Sequence, residues 1–208
     1  KIIESITPLE EGEITTFYNQ FYGLRREFAS GAQDTFIPYQ KSLLYTTLNM
    51  KGRIRVSFDH RESYEGSRMG RLYDVHISKD FLLLTFKQKD EKDDTEYEHY
   101  VGIKGLSDVQ LIGSWREVHY DVDKKRGTPQ TYWVYDAFTA TPNSHVVFSA
   151  ANSKSEARTL ADIAYCHADD IISNVHTKIL ASLPDFRHLL DAQLKAATTC
   201  ATHSLFSL

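Results

Sequence analysis

The sequence predicts an α+β domain in which an antiparallel meander of about seven strands, a barrel or a strongly curved sheet, is packed by N-terminal and C-terminal helices. Three observations lead to this prediction. Capped helical patterns stand at both ends of the chain, apolar residues alternate with period two between them, and the links between the alternating segments are too short for crossover helices. We divide the chain into residues 1–50, 51–152 and 153–208, and we expect them to form one compact domain.

Residues 1–50 are predicted to form two helices. Thr7-Pro8-Leu9-Glu10 has the spacing of a capping box, with proline at the first helical position. The apolar positions that follow recur every three or four residues, as on one face of a helix: Ile14, Phe17, Phe21, Leu24 and Phe28. Ser30-Gly31 ends this pattern, and a shorter helix is predicted over about 38–49.

Residues 51–152 are predicted to form the β core. From Arg53 onward apolar and polar residues alternate, which is typical of half-buried strands. The predicted strands are RIRVSFD, RLYDVHIS, FLLLTFKQ, EYEHYVGI, VQLIGSWREVHYDV, QTYWVYDAFTA and SHVVFSA. The last but one is apolar on both faces, so it needs cover from the chain's own helices or from a partner.

Residues 153–208 are predicted to begin with the longest helix. Ser153 and Glu156 have capping-box spacing, and the helix should run over about 155–182. Leu183-Pro184-Asp185 breaks it, and a final helix is predicted over about 185–197.

Seven strands followed by a capped helix is an element order that is similar to that of pleckstrin-homology-like barrels, over about residues 51–182. The resemblance implies that the C-terminal helix covers one open end of two packed sheets. It also implies that the first hairpin is the place where such domains often bind inositol phosphates. The tryptophan common in that family's closing helix is absent, since Trp115 and Trp133 both lie in predicted strands.

Composition excludes some classes of function. The 208 residues carry a formal net charge of −4, which argues against a general nucleic-acid-binding protein. Cys166 and Cys200 are far apart, so we expect no disulfide framework and a cytoplasmic protein. No apolar stretch approaches the roughly 20 residues of a transmembrane helix.

A basic cluster on the first predicted hairpin is the first candidate site. Arg53 and Arg55 share the polar face of their strand, and Arg68 and Arg71 lead into the next. Guanidinium groups on adjacent strands can hold a phosphate or carboxylate with two hydrogen bonds each. The alternative is a solvated face that Asp59, Glu62 and Glu65 partly neutralise.

Four further residues form a candidate acid–base set if their strands converge: His99, Glu117, His119 and Asp136. Which face of the sheet Glu117 and His119 occupy depends on the preceding stretch Gly113-Ser114-Trp115. Gly-x-Trp can open a lipocalin barrel, but too few strands follow, and a bulge beside a core aromatic residue is the alternative. A bulge at Gly113 would reverse the parity of every later residue in that strand.

Metal sites are predicted to be absent. The turn at 90–96 is acidic but lacks the spacing of a calcium-binding EF-hand loop. Cys166-His167-x-x-Asp170 and Cys200-x-x-His203 contain zinc-ligand residue types, but they are widely separated and lack a CxxC knuckle.

The sequence contains no recognisable catalytic or cofactor-binding motif. We therefore predict a non-enzymatic interaction or scaffold domain that binds a protein partner or a second copy of itself, with no cofactor. Two alternatives stay open: binding of an anionic small molecule or lipid head group by the arginine cluster, and a small-molecule-binding barrel or enzyme that uses His99, Glu117, His119 and Asp136.

Overall fold

The computed structural model describes residues 3–20, 23–62, 71–89, 96–128 and 130–182. Within these ranges the chain forms a mostly antiparallel β-sheet with a few helices. The strands are β1 (Ile3–Pro8), β2 (Ile14–Gln20), β3 (Gly23–Phe28), β4 (Gln33–Tyr39), β5 (Ser42–Leu48), β6 (Ile54–Glu62), β7 (Arg71–Ile77), β8 (Leu82–Lys89), β9 (Glu96–His119) and β10 (Thr131–Ala151). The helices are α1 (Asp121–Arg126), α2 (Lys154–Cys166) and α3 (Ala168–Ser182).

The strands form one branched sheet. Its main path runs β2–β3–β4–β5–β10–β9–β8–β7. The branch is at β10, because the second half of β10 pairs with β5, whereas its first half pairs with β6, which in turn pairs with β1. β9 pairs with both halves of β10 on the opposite side. The two longest strands therefore hold both branches together.

The sheet curves strongly at the β7 end. Tyr73 of β7 stacks on Tyr135 of β10 with 4.4 Å between the ring centroids. Three strand spacings separate these strands along the sheet, which is about 14 Å in a flat sheet. The sheet must therefore fold over, and the main core, which includes Ile6, Val56 and Leu84, lies inside the fold. The sheet is not closed, because β7 pairs only with β8 among the described strands.

The prediction of a first helix within residues 1–50 is wrong, because this part of the chain forms strands. Of the apolar positions, Phe21 lies outside the described residues; Ile14, Phe17, Leu24 and Phe28 do share one face, but it is a face of the β2–β3 pair. Ile14 pairs with Phe28 and Phe17 pairs with Arg26, and a bulge at Thr15 keeps Ile14 and Phe17 on the same side. A spacing of three that spans a β-bulge thus has the same pattern as a spacing of three on a helix.

The second predicted helix, over 38–49, is also wrong. This segment contains the end of β4 and all of β5. Successive side chains of β5 enter different cores: Tyr45 lies in the main core, whereas Leu44 lies in a second core beneath α2 and α3. Such a strand is apolar on both faces, so its sequence lacks the alternation that distinguishes a strand from a helix.

From Arg53 onward strands are found where they were predicted, but the seven predicted segments form five strands. EYEHYVGI and VQLIGSWREVHYDV are parts of β9, and QTYWVYDAFTA and SHVVFSA are parts of β10. The chain bends at these joins without turning back. Gly105 takes a positive φ of 94° in β9, and the β9–β10 register is irregular between Pro142 and Val147.

Ser153 is confirmed as the N-cap of α2. The backbone N–H of Glu156 donates to Oγ of Ser153 at 3.2 Å. The predicted long helix is divided at His167 into α2 and α3. The helix predicted over 185–197 lies outside the described residues. Neither α2 nor α3, nor any other helix in the described ranges, has the length and apolar composition needed to cross a membrane.

Helix α2 packs on the side of β5, β9 and β10 that faces away from the main core. Its buried residues are all small: Ala157, Ala161 and Ala164. Gly102 of β9 lies directly beneath it, where an added Cβ would be only 2.4 Å from the Ala157 carbonyl oxygen. The helix backbone therefore lies very close to the sheet.

Candidate functional site

The predicted arginine hairpin is not found among the described strands, because β6 pairs with β1 and β10 whereas β7 pairs with β8, so Arg55 and Arg71 do not lie on adjacent strands. Arg53 is engaged internally: its Nη2 donates to the Asp108 carbonyl at 2.7 Å and to the carbonyl and hydroxyl of Thr139 at 3.1 and 3.0 Å. Arg68 lies outside the described residues, as does the side chain of Arg71. Among the described residues, Arg55 is the one predicted arginine whose guanidinium has a buried donor atom without a hydrogen-bond partner.

Arg55 lies beside a buried ion pair on the outer face of β6, β10 and β9. Asp136 is only 4% exposed, and its carboxylate accepts hydrogen bonds from Arg116 Nε at 2.7 Å and Nη2 at 3.2 Å. Ser57 Oγ donates to the same carboxylate at 2.6 Å. The register pairs Asp136 with both Ser57 and Ser114, so these groups share one face.

Among the side chains that the structure describes, this cluster carries more positive than negative charge. Burial raises the pKa of Asp136, but hydrogen bonds from Arg116 and Ser57, together with the positive charges of Arg116 and Arg55, hold the pKa below its usual value. Two guanidinium groups thus face one carboxylate. Nε of Arg55 is buried and has no hydrogen-bond partner among the described residues. This arrangement leaves a desolvated donor that an anion could satisfy.

The four residues of the candidate acid–base set do not come together. Glu117 pairs with Trp133 and His119 with Thr131, whereas Asp136 pairs with Ser114, so Asp136 lies on the opposite face of the sheet from the other two. His99 is exposed on the first half of β9, where its ring stacks on Phe86 with 6.3 Å between centroids. These positions give no common space in which all four could contact one substrate.

The stretch around Gly113 combines a bulge with a core aromatic residue. Gly113 has a φ of 64°, and β9 gains one residue against β10 between Leu111 and Ser114. Trp115 packs against Tyr135 and Tyr73, with centroid distances of 5.6 and 6.0 Å. Glu117 and His119 follow on the same face, but both are exposed because the core ends before them.

No cluster of three or more His, Cys, Asp or Glu side chains capable of holding a metal ion occurs in the part of the chain that the structure describes. Cys166 is exposed with a free thiol, and Nδ1 of His167 lies 3.5 Å from Oδ2 of Asp170. Cys200, His203 and the acidic residues 90–95 lie outside the described residues.

The open strand edges differ in chemistry. β1, β2, β7 and the second half of β9 each lack a partner strand on one side among the described residues. β1 contains Glu4 and Pro8, β7 contains Arg71 and Asp74, and the second half of β9 contains Asp108, Arg116 and Glu117. β2, with the sequence ITTFYNQ, has no charged residue and no proline.

Side chains of β2 are also unusually exposed. Phe17 is 60% exposed, and Ile14 and Tyr18 are each 37% exposed. The Tyr18 ring is held by Arg25, whose guanidinium lies 4.2 Å from the ring centroid, and the Tyr18 hydroxyl donates to Glu27 at 3.3 Å. β2 therefore presents an uncharged edge with exposed aromatic side chains.

Sequence reasoning missed two of these features. Arg116 was not recognised as the partner of Asp136, although an isolated aspartate in the apolar strand TYWVYDAF signals a need for one. The edge of β2 was hidden by the helix prediction, although its β-branched and aromatic content favours a strand. The predicted need of TYWVYDAF for cover is met within the chain, since Tyr132, Val134, Tyr135 and Phe138 are all buried.

No model of a protein family matches the chain, and no curated protein matches it.

Proposed function

We propose that this chain is a non-enzymatic interaction domain that binds an extended protein segment by adding it as a strand beside β2. One observation carries the proposal: β2 combines a backbone edge that no described strand covers with an exposed, uncharged and partly aromatic set of side chains. A cytoplasmic setting is part of the proposal, in keeping with two cysteines far apart in sequence.

Strand addition suits this edge for physical reasons. Each peptide group on the open side of β2 can exchange a hydrogen bond with an incoming strand, which supplies affinity without a deep pocket. The exposed Phe17 lies on one face and Tyr18 on the other, so both faces of an added strand meet an aromatic side chain. Natural edges normally carry charge or proline that blocks such pairing, and β2 carries neither.

The first prediction tests this edge with a defined probe, a fluorescein-labelled peptide of residues 12–20. We expect saturable binding to the folded domain by fluorescence anisotropy. Phe17→Lys should weaken binding about tenfold, because it places a charge within the new strand pair and removes an apolar contact. Since Phe17 is largely exposed, the variant should retain the thermal midpoint of the unmodified domain.

A matched control is available at the other end of the sheet. Leu72 is 69% exposed on the edge strand β7, so Leu72→Lys makes the same kind of change elsewhere. This variant should bind the peptide as the unmodified domain does. Absence of saturable binding, or equal loss in both variants, contradicts strand addition at β2.

A second candidate function is binding of a phosphate or carboxylate group at Arg55. The excess positive charge around Asp136 and the unsatisfied Nε of Arg55 favour it. Arg53 and Arg116 would act mainly as fixed neighbours, because their guanidinium groups already have partners.

The second prediction concerns Arg55→Ala. Inorganic phosphate should shift the amide resonances of β6 and β10 in a titration, and the variant should lose these shifts. Vesicles with and without anionic lipid distinguish a lipid head group from a free anion. Arg158→Ala, on the exposed side of α2, removes the same charge and should leave phosphate binding intact. Identical titrations for Arg55→Ala and the unmodified domain would contradict anion binding at Arg55.

Arg116 is not a suitable position for this test. Its removal would leave the carboxylate of Asp136 buried without its ion-pair partner, which typically costs about 3–5 kcal/mol of stability. A loss of binding in an Arg116 variant would therefore report unfolding as readily as a lost ligand contact.

A further inference from the structure

We propose that the segment bound at β2 is β2 of a second copy of the chain, paired antiparallel about a two-fold axis that passes beside Phe17. This inference rests on the proposed function, because it names the partner of the same edge. The two sheets would then continue into one another through the β2–β2 pair.

The absence of charge in β2 favours a second copy as the partner. At a two-fold interface each surface meets itself, so any charge near the axis meets an identical charge. Like charges directly opposite one another destabilise a strand pair. Strands β1, β7 and the second half of β9 all contain charged residues, whereas β2 contains none over Ile14–Gln20. Among the described edges, β2 is the one whose composition is best suited to pairing with itself.

The length of β2 specifies the register. Phe17 is the central residue of Ile14–Gln20, so pairing Phe17 with its own copy overlaps the whole strand. The same register places Thr16 opposite Tyr18 and Thr15 opposite Asn19. Residues opposite one another in an antiparallel pair point to the same face, so the two Phe17 rings come into contact.

Two features limit the strength of the pairing. The bulge at Thr15 disturbs the regular strand near one end of each β2. A contact between two short strands also buries less than the roughly 1,200 Å² at which stable interfaces begin. We therefore expect a reversible dimer with a micromolar dissociation constant. Because the described part of each chain offers one such edge, the pairing closes at two copies instead of extending into a filament.

The third prediction is tested by sedimentation velocity with the full chain, from low to high micromolar concentration. The unmodified protein should shift from monomer to dimer as concentration rises. Phe17→Lys should remain monomeric throughout, whereas the control Leu72→Lys should dimerise as the unmodified protein does.

A cross-linking measurement tests the register without relying on loss of association. Phe17→Cys is combined with Cys166→Ser and Cys200→Ser, so that each chain has one thiol. Opposite Cα atoms in an antiparallel pair are about 4.5–5.5 Å apart, within the range that a disulfide spans. Mild oxidation should give a covalent dimer, and Leu72→Cys in the same background should not.

The outcomes separate this inference from the proposed function. A chain that stays monomeric at every concentration but binds the labelled peptide, with loss in Phe17→Lys, overturns self-pairing and leaves strand addition standing. A monomer that binds no peptide overturns both. A dimer that Phe17→Lys does not affect, or that Leu72→Lys abolishes, places association elsewhere and also overturns self-pairing.

Discussion

Glu11 shows how much of this fold depends on a single carboxylate. It is 4% exposed and accepts hydrogen bonds from the backbone N–H groups of Lys51 and Gly52 at 2.9 and 3.0 Å. Ser30 Oγ donates to its other oxygen at 2.6 Å. One side chain thereby joins the turns after β1, β3 and β5. The Ser30 hydrogen bond lowers the pKa of Glu11, burial opposes this, and the two backbone donors and the charge of Lys51 lower it further.

The fourth prediction concerns Glu11→Gln. A glutamine amide cannot accept the Ser30 hydrogen bond through its nitrogen, so we expect the free energy of unfolding at neutral pH to fall by about 2 kcal/mol. The pKa of Glu11 is lower in the folded state than in the unfolded state. Its stabilisation is therefore complete above the unfolded-state pKa and is lost as pH falls through the folded-state pKa.

Urea unfolding from neutral to acidic pH measures this effect. The difference between Glu11→Gln and the unmodified protein should narrow as pH falls below the usual range of a glutamate. Glu13→Gln, at a neighbouring exposed position, serves as the control and should leave the unfolding curves unchanged. A difference that is independent of pH would show that the charge of Glu11 does not stabilise the fold.

Such a residue could not be identified from the sequence. The partners of Glu11 lie 19, 40 and 41 positions away along the chain. Local patterns predict contacts within a few residues, whereas these contacts exist only after strands β1 to β6 have been placed.

At the scale of elements, the contact between α2 and β9 depends on the absence of a side chain at Gly102. The helix contributes alanines and the strand contributes a glycine, so the two backbones approach closely. The capping box of α2 was predictable because it is a local pattern of four residues. The role of Gly102 beneath the helix was not predictable, because it depends on Ala157, which is more than fifty residues away.

The fifth prediction is that Gly102→Ala destabilises the protein by about 3 kcal/mol. The new Cβ would lie 2.4 Å from a backbone carbonyl, so the helix itself must move away from the sheet. Amide hydrogen exchange in α2 should accelerate more than exchange in β3 and β4. Thr159→Ala, on the exposed side of α2, is the control and should not increase exchange. An unchanged melting temperature for Gly102→Ala would contradict the close packing.

At the scale of the whole molecule, the sequence predicted the antiparallel β core and the C-terminal helix but not the way in which the sheet branches. Alternation and capping are local, so β6 to β8 and α2 were found near their true places. The lengths of β9 and β10 were not predicted correctly, because a strand that bends at Gly105 and continues resembles two strands joined by a turn. Branching at β10 depends on which half pairs with β5 and which with β6, and no local pattern reports that.

The candidate sites were likewise predictable only where a local sequence pattern indicated them. That Arg53 and Arg55 share a polar face was predictable from alternation. The sequence could not show that Arg53 donates to Thr139. Nor could it show that Arg55 lies beside Asp136 and Arg116, because both arrangements depend on the register of three strands. The edge of β2 could be recognised only after the strand itself was established.

The pairing of β5 with the second half of β10 has a consequence for the synthesis of this chain. Ser42 and Ser149 bond through their hydroxyl groups at 2.7 Å, although 107 positions separate them. Strands β2 to β5 leave the ribosome before β10 and can assemble as a local meander. Until β10 emerges, β5 carries Leu44 and Tyr45 beside an edge with no partner, and β2 is open at the other side. The nascent chain therefore passes through an interval with two unpaired strand edges, at which pairing with another nascent copy on the same messenger RNA is most favourable.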